Sequence, residues 1–268
     1  MTLYENQSKD LKKYGFTIFQ DVITEELCNT LKKDIDDWFD NVADENQLVE
    51  DKRFKKFVVP DAVSNPHFYN FSKVFEANHL LEFLKYHCGG DVMYLDHFDA
   101  HRNLSSGWHE DTNQKHFKTD NHHQGISLFD PNYHVYRVCF YLQDHNEDFC
   151  GLSVKPGTHM YPKSVHNQFN NEVKIGTRKC DMIIFDCRLS HKGIVYKDSA
   201  MGTGSKNRHS IFLCLGASKN IFSETHRMGA VERQNKQLKR DTYKINQELK
   251  SKLIKKGYKI FEDDSVFY

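Results

Sequence analysis

His109 and Asp111 stand two residues apart, and a third imidazole, His191, lies far downstream. Ligands at i and i+2 project to the same side of an extended segment, so this pair can hold one edge of a metal's shell while a His from a distant strand closes the face. Two imidazoles and one carboxylate on one face suit Fe(II) and leave three positions open for a cosubstrate and dioxygen. His-x-Asp alone is common, because 16 histidines and 37 acidic residues produce such pairs by chance. Its weight comes from the residues around it. Arg208 and Ser210, again at i and i+2, bring a guanidinium fork and a hydroxyl to one strand face, the donor set that a buried carboxylate requires. The competing reading of Arg208 is a surface cation on an edge strand, in which case Arg137 or Lys155 on an inward strand face is the anchor. Near the first ligand, Trp108 can wall a substrate pocket or fill core. His101 and Arg102 can reach an anionic substrate or stand as satisfied polar residues, and Arg137 is a further substrate candidate. His159 reads as stabilising its own Pro-Gly-Thr-His turn.

Strands have to carry these groups. Tyr14 to Ile23 alternates apolar and polar residues, and Thr24 then caps an amphipathic helix with Leu27, Leu31, Ile35 and Trp38 on one side. A second helical stretch, Phe71 to His87, ends at Gly89-Gly90. From there the period changes to short segments rich in β-branched and aromatic residues: 91–98, 133–142, 152–155, 180–186, 193–196 and 210–215. The expected fold is mainly β with flanking helices, a sandwich or barrel. The last forty residues, from about His226, carry Val231, Leu238, Tyr243, Ile245, Leu249 and Leu253 among many charges. They read as one long exposed helix, with Lys250, Lys252, Lys255 and Lys256 on a solvated face. Between Asn113 and His134 lie four histidines, few aliphatics and one Gly. Such a polar segment directly after Asp111 fits a lid as well as a surface loop.

Composition bounds the function classes. Lys+Arg and Asp+Glu both number 37 in 268 residues, so no net charge draws the chain to nucleic acid or an anionic membrane. No apolar run approaches the roughly 18 residues of a membrane span, and the first residues show no basic region followed by an apolar one. The expectation is a cytoplasmic protein of one domain over residues 1–268, with a β core at about 91–216. Seven cysteines without a Cys-x-x-Cys pair read as reduced, mostly buried thiols.

Taken in order, His109-x-Asp111, Gly151-Leu152-Ser153-Val154-Lys155-Pro156-Gly157-Thr158-His159, Cys180-Asp181 to Phe185, His191-Lys192-Gly193 and Arg208-His209-Ser210 resemble the phytanoyl-CoA dioxygenase (PhyH-like) family of Fe(II)/2-oxoglutarate oxygenases. Lys13-Tyr14-Gly15-Phe16-Thr17-Ile18-Phe19 before Thr24-Glu25-Glu26 is similar to that family's entry strand and helix, so the resemblance runs from about residue 9 to 216. It implies a double-stranded β-helix (jelly roll, cupin-like) with iron at one open end, held by His109, Asp111 and His191. It also implies 2-oxoglutarate and dioxygen as cosubstrates, with Arg208 and Ser210 on the far carboxylate of the oxoacid. Two positions depart from the family pattern: the gap from His191 to Arg208 is longer than usual, and Thr158 replaces the usual Ser. Related halogenases place a small residue where Asp111 stands, so Asp111 points to oxygen transfer, by default hydroxylation of a small polar metabolite with release of succinate and carbon dioxide. The rival readings are a cupin-like metalloenzyme without 2-oxoglutarate and a non-catalytic metal-binding jelly roll.

Overall fold

Strands form where β-branched and aromatic residues gather: β1 (Phe16–Phe19), β2 (Val58–Pro60), β3 (Val92–Arg102), β4 (Val135–Tyr141), β5 (Leu152–Val154), β6 (Val173–Ile175), β7 (Met182–Asp186), β8 (His191–Gly193) and β9 (His209–Ala217). The computed structural model describes residues 3–42, 57–112, 127–145, 151–193 and 208–261. Six strands pair in the order β1-β7-β4-β9-β3-β2, and a smaller sheet runs β6-β5-β8. Every pairing between these strands is antiparallel. This is the expected jelly roll, mainly antiparallel β with flanking helices.

Alternation along each strand decides which side chains see the site. On β9, Ile211, Leu213 and Leu215 face outward into a large apolar cluster with Val138, Phe140, Ile184 and the helical Phe68, Phe71 and Phe83. The intervening Phe212 turns inward, toward Cys139, Tyr141, Leu152, Ile183 and Phe185. Burying one such Phe contributes about 1.5–3 kcal/mol, and the covering helices supply that burial on the outer face. Helix α1 (Leu3–Tyr14) packs beside β1. In α2 (Glu25–Asp37), Thr24 Oγ1 accepts from Leu27 N at 3.1 Å, and Cys28, Leu31 and Ile35 are buried. Helix α3 (Leu80–Cys88) stops where Gly89 takes φ 68°, a left-handed cap that glycine adopts without steric cost.

Three expectations are corrected here. The single helix over Phe71 to His87 is a 3₁₀ stretch, Pro66–Glu76, followed by α3. Between them Ala77 is extended, His79 takes φ 69°, and Asn78 N donates to Val22 O at 2.9 Å. The strand expected at 193–196 is β8, which begins at His191 itself; residues 194–207 lie outside the described residues. The long exposed C-terminal helix is two helices, α4 (Ile221–Leu238) and α5 (Gln247–Lys256), separated where Lys239 takes φ 51°. Nor is the tail a solvated rod. Arg233 pairs with Asp99 at 2.9 Å, Arg240 with Asp61 at 2.7 Å, and Arg227 with Asp96. These charges are turned onto the sheet, where their partners are buried, and Tyr243, Ile245, Leu249 and Leu253 are buried beneath them. The lysine face does lie outward, with Lys252, Lys255 and Lys256 exposed. Among the described residues no helix is long and apolar enough to cross a membrane, and all six described cysteines are free.

Candidate active site

After β3 the chain turns at Asn103, which takes φ 60°. Asn103 N donates to Arg208 O at 2.7 Å, and its side-chain Oδ1 accepts from Arg208 N at 3.0 Å. The following segment then runs antiparallel to β8. His109 N donates to His191 O, His191 N donates to His109 O, each at 2.9 Å, and Asp111 N donates to Cys187 O at 2.9 Å. This extended pairing is why residues 109 and 111 point the same way, with His191 directly opposite. Their intervening neighbour, Glu110, points elsewhere and meets His166 Nδ1 at 3.0 Å with both side chains buried, pinning the segment from its other side.

The three expected ligands converge. One ligand atom from each of His109, Asp111 and His191 lies within 4.8 Å of the other two. Asp111 sits between the rings, its Oδ1 3.8 Å from His109 Nε2 and its Oδ2 3.7 Å from His191 Nε2. His109 Nδ1 donates to Gly107 O at 2.7 Å and His191 Nδ1 to Leu189 O at 2.9 Å. A carbonyl accepts only, so each neutral ring carries its proton on Nδ1 and turns the Nε2 lone pair to the centre, the orienting contact typical of ligating histidines. Burial pushes the His191 pKa down to about 4, which keeps that lone pair free at neutral pH. Burial alone would raise the Asp111 carboxyl, but Arg137, His191 and His109 outweigh it and hold it well below the usual carboxylate range. The donor set fits Fe(II).

Arg208 and Ser210 stand on the inward face of β9, across the same cavity. Arg208 Nη2 donates to Gly151 O at 2.7 Å and to Tyr141 Oη at 3.1 Å, while its Nε is buried with no partner. Ser210 Oγ is likewise buried without a partner. Orphaned buried polar atoms are rare because each forfeits its hydration. Two at i and i+2 on one strand face are what a site built for a carboxylate would show in the ligand's absence.

A cavity of about 530 Å³ joins Arg208 to the three ligand candidates. Its walls include the three metal-ligand candidates, Arg208, Tyr141 and Phe212, and, from β3 and α4, Asp99, His101, Arg233 and Gln237. Of the sequence-derived substrate candidates, His101 and Arg137 line it. His101 packs on Phe212 with ring centroids 4.9 Å apart, and burial pushes its pKa down to about 3. Arg137 Nε lies 3.2 Å from Asp111 Oδ2, an ionic contact rather than an aligned hydrogen bond. The other two do not line it. Trp108 is 38 % exposed and lies outside the cavity between Lys155 and Lys192, at 5.1 and 4.6 Å from its ring centroid. Arg102 reaches away to Asp40 at 2.6 Å and packs on Phe39, because the end of β3 delivers alternate residues to opposite faces. Lys155, also outside the cavity lining, donates through Nζ to His166 O at 3.0 Å. His159 holds the end of α1 through Lys12 O at 3.1 Å. The segment expected as a lid, 113–134, lies outside the described residues up to 126.

Sequence reasoning missed Tyr141, Asp99, Arg233 and Gln237. Period 2 on β3 and β4 places Asp99 with His101, and Tyr141 with Arg137, so those two were findable. Arg233 and Gln237 follow from helical i, i+4 spacing only once α4 is known to lie against β3.

The family model for phytanoyl-CoA dioxygenase (PhyH) matches residues 11–194. No curated protein matches the chain. Among solved structures, AviO1 from Streptomyces viridochromogenes Tue57 is similar, with a TM-score of 0.58 and 16% identity over 82% of this chain and 98% of that one. EctD from S. alaskensis with bound Fe has a TM-score of 0.60 at 15% identity, covering 82% of this chain and 78% of its own. The alpha-ketoglutarate-dependent epimerase SnoN from nogalamycin biosynthesis has 0.53 at 11%, covering 79% and 81%. At these identities the likeness shows the fold, while the family match covers most of the chain. The chain belongs to the phytanoyl-CoA dioxygenase (PhyH) family of Fe(II)- and 2-oxoglutarate-dependent oxygenases.

Proposed function

We propose that His109, Asp111 and His191 hold the iron, that Arg208 and Ser210 bind the far carboxylate of 2-oxoglutarate, and that the protein hydroxylates a small polar metabolite. The carrying observation is the meeting, in one cavity, of three convergent ligand atoms with Arg208, whose buried Nε has no partner, while two residues on in the same strand the Ser210 hydroxyl is also buried without one. EctD has been crystallised with 2-oxoglutarate and 5-hydroxyectoine, and SnoN with Fe3+, alpha ketoglutarate and nogalamycin RO. Both precedents support a small-molecule substrate beside the oxoacid.

Iron bound there supplies dioxygen activation, with 2-oxoglutarate as the two-electron donor that leaves as succinate and carbon dioxide. The chain's own residues do the rest. Gly107 O and Leu189 O fix the two imidazole tautomers. Tyr141 Oη and Gly151 O clamp one end of the Arg208 guanidinium, leaving Nε for the incoming carboxylate. Arg137 holds Asp111 ionised. Phe212 and Leu152 line the chamber and limit water around the reacting centre.

Purified protein should bind one Fe(II) per chain anaerobically and, on admission of oxygen, convert 2-oxoglutarate to succinate. Iron binding without succinate formation would point to the cupin-like reading, and neither outcome would leave the oxygenase assignment standing.

A further inference from the structure

β3 and α4 give the cavity a second polar wall, made of residues assigned neither to the iron nor to 2-oxoglutarate. Asp99 is buried, and its Oδ2 is engaged by Arg233 Nη2 at 2.9 Å and His97 Nε2 at 3.1 Å. Its other oxygen, Oδ1, is buried with no partner, although Asp99 lines the cavity. Burial would raise this carboxyl, but Arg233, His97 and Arg137 together outweigh that and hold it well below the usual range. An ionised carboxylate oxygen only accepts, so Oδ1 requires an O–H or N–H from something in the cavity. One turn apart on α4, Arg233 and Gln237 close the same wall. Gln237 Oε1 is also buried without a partner, and an amide can turn over to offer either a donor or an acceptor.

Charge narrows the ligand further. The cavity is lined by three guanidiniums, Arg137, Arg208 and Arg233, against two carboxylates, Asp99 and Asp111. Fe(II) and the 2-oxoglutarate dianion cancel each other, so one positive charge is left over. An amine without an acid group would add to it in a water-poor chamber, whereas an amino acid zwitterion adds nothing and a hydroxy-acid anion neutralises it. Arg233, 42% exposed at the rim, is the cation not engaged with the metal ligands or Tyr141. The separation is short as well. Arg137 touches Asp111 Oδ2 at 3.2 Å through Nε and reaches Asp99 Oδ2 at 4.0 Å through Nη2, so one guanidinium's width lies between the recognition wall and the metal ligands.

We propose that Asp99, Arg233 and Gln237 recognise a small acid bearing an O–H or N–H donor beside its anionic group, an amino acid or a hydroxy acid. Arg233 takes the anion, Asp99 Oδ1 accepts from the neighbouring donor, and the rest of the molecule extends toward His109, Asp111 and His191. The proposal rests on the oxygenase reading and names the substrate class of that site.

The test is anaerobic calorimetric titration of the protein loaded with Fe(II) and 2-oxoglutarate. The probes are the L-amino acids of proteins, their 2-hydroxy acid counterparts, the matched amines lacking the carboxylate, and the matched acids lacking the amino or hydroxyl group. At least one amino or hydroxy acid is expected to bind, with its amine and plain-acid counterparts at least about tenfold weaker, as for lost hydrogen bonds to charged groups. Which of the two panels binds identifies the donor. Arg233→Gln, which keeps a donor at a half-exposed position, should weaken the acid by about tenfold, and Asp99→Asn should narrow its advantage over the plain acid. The proposal is overturned if no panel acid binds, if amines bind as well as the acids, or if Arg233→Gln leaves affinity unchanged. Iron and 2-oxoglutarate binding are recorded first in the same preparation. Their failure sinks the oxygenase reading, whereas their success with a silent panel sinks this inference alone.

Discussion

Arg208→Met separates the two halves of the proposed site. The substitution keeps an unbranched apolar stem against the Tyr141 ring, over which the guanidinium carbon sits at 5.2 Å, and removes the charge. In the parent, a carboxylate entering this buried pocket meets the free Nε of Arg208 and the Ser210 hydroxyl. Without the guanidinium it is a buried charge with half its partners gone, and breaking a buried pair in this way costs about 3–5 kcal/mol. At roughly 1.4 kcal/mol per tenfold, 2-oxoglutarate should bind about two to nearly four orders of magnitude more weakly. Ser210→Ala removes one neutral donor to a charged acceptor, about 1.5–3 kcal/mol, and should cost correspondingly less. Iron binding should be unchanged in both, because Arg208 contacts Tyr141 and Gly151 rather than any of the three ligands. Anaerobic calorimetry measures each constant separately, with iron titrated first and the oxoacid second. A 2-oxoglutarate affinity within about tenfold of the parent, or a parallel fall in iron affinity, would refute the assignment. Arg137 is then the remaining buried guanidinium in the cavity.

Further outcomes follow from the same geometry. His109→Ala, Asp111→Ala and His191→Ala should each abolish stoichiometric Fe(II) binding by removing one corner of a three-point face, as read by metal content after gel filtration; retention in any one moves that ligand elsewhere. Gly151→Ala places a Cβ 2.5 Å from His145 Cε1 and 2.8 Å from Tyr141 Cζ, an overpacking worth about 1–3 kcal/mol. It should lower Tm and weaken 2-oxoglutarate together, since Tyr141 holds Arg208, and an unshifted Tm would contradict the close approach. Stability should also fall with acidification. Burial pushes His87 and His101 down to about 3 and His145 to about 4, below an unfolded value of about 6.5. The unfolded chain therefore takes up protons that the native state refuses, and these contributions are lost as pH drops from about 6.5 toward 4. Asp61 opposes them: burial raises it to about 6, so its share is present below its unfolded value and lost as pH rises through about 6. The lowered imidazoles, His134, His159 and His191 among them, outnumber the raised carboxyls Asp61 and Asp96, which predicts a lower Tm at pH 4.5 than at pH 7 by scanning calorimetry, and a flat profile would count against the buried neutral imidazoles.

Much of this site was legible because its chemistry is carried by strands. At 109/111 and at 208/210, period 2 fixes which side chains share a face, and the residue types then name the ligand. The central strands β4, β7 and β9 show as near-continuous apolar runs because they are covered on both faces. What stayed hidden depends on tertiary placement. Strands β2 and β6 are three residues long, too short for any period to register. Arg227, Arg233 and Arg240 look like solvated charges until their buried partners Asp96, Asp99 and Asp61 are seen on the sheet and the loop beside it. Trp108 sits next to a ligand in sequence yet faces the opposite side of its extended segment, and the same alternation sends Arg102 away from His101. Adjacency along the chain was a poor guide to the cavity; parity along the strand was a good one.

The reciprocal backbone bonds between His109 and His191 have a consequence for how such a site evolves. Two ligands are held in register by main-chain groups that any residue would supply, so the geometry is inherited from the fold and not imposed by the ion. Substitutions at 109, 111 or 191 can therefore retune or silence the metal without unravelling the barrel end. A jelly roll built this way is free to drift between catalyst and sensor, since loss of chemistry does not entail loss of shape.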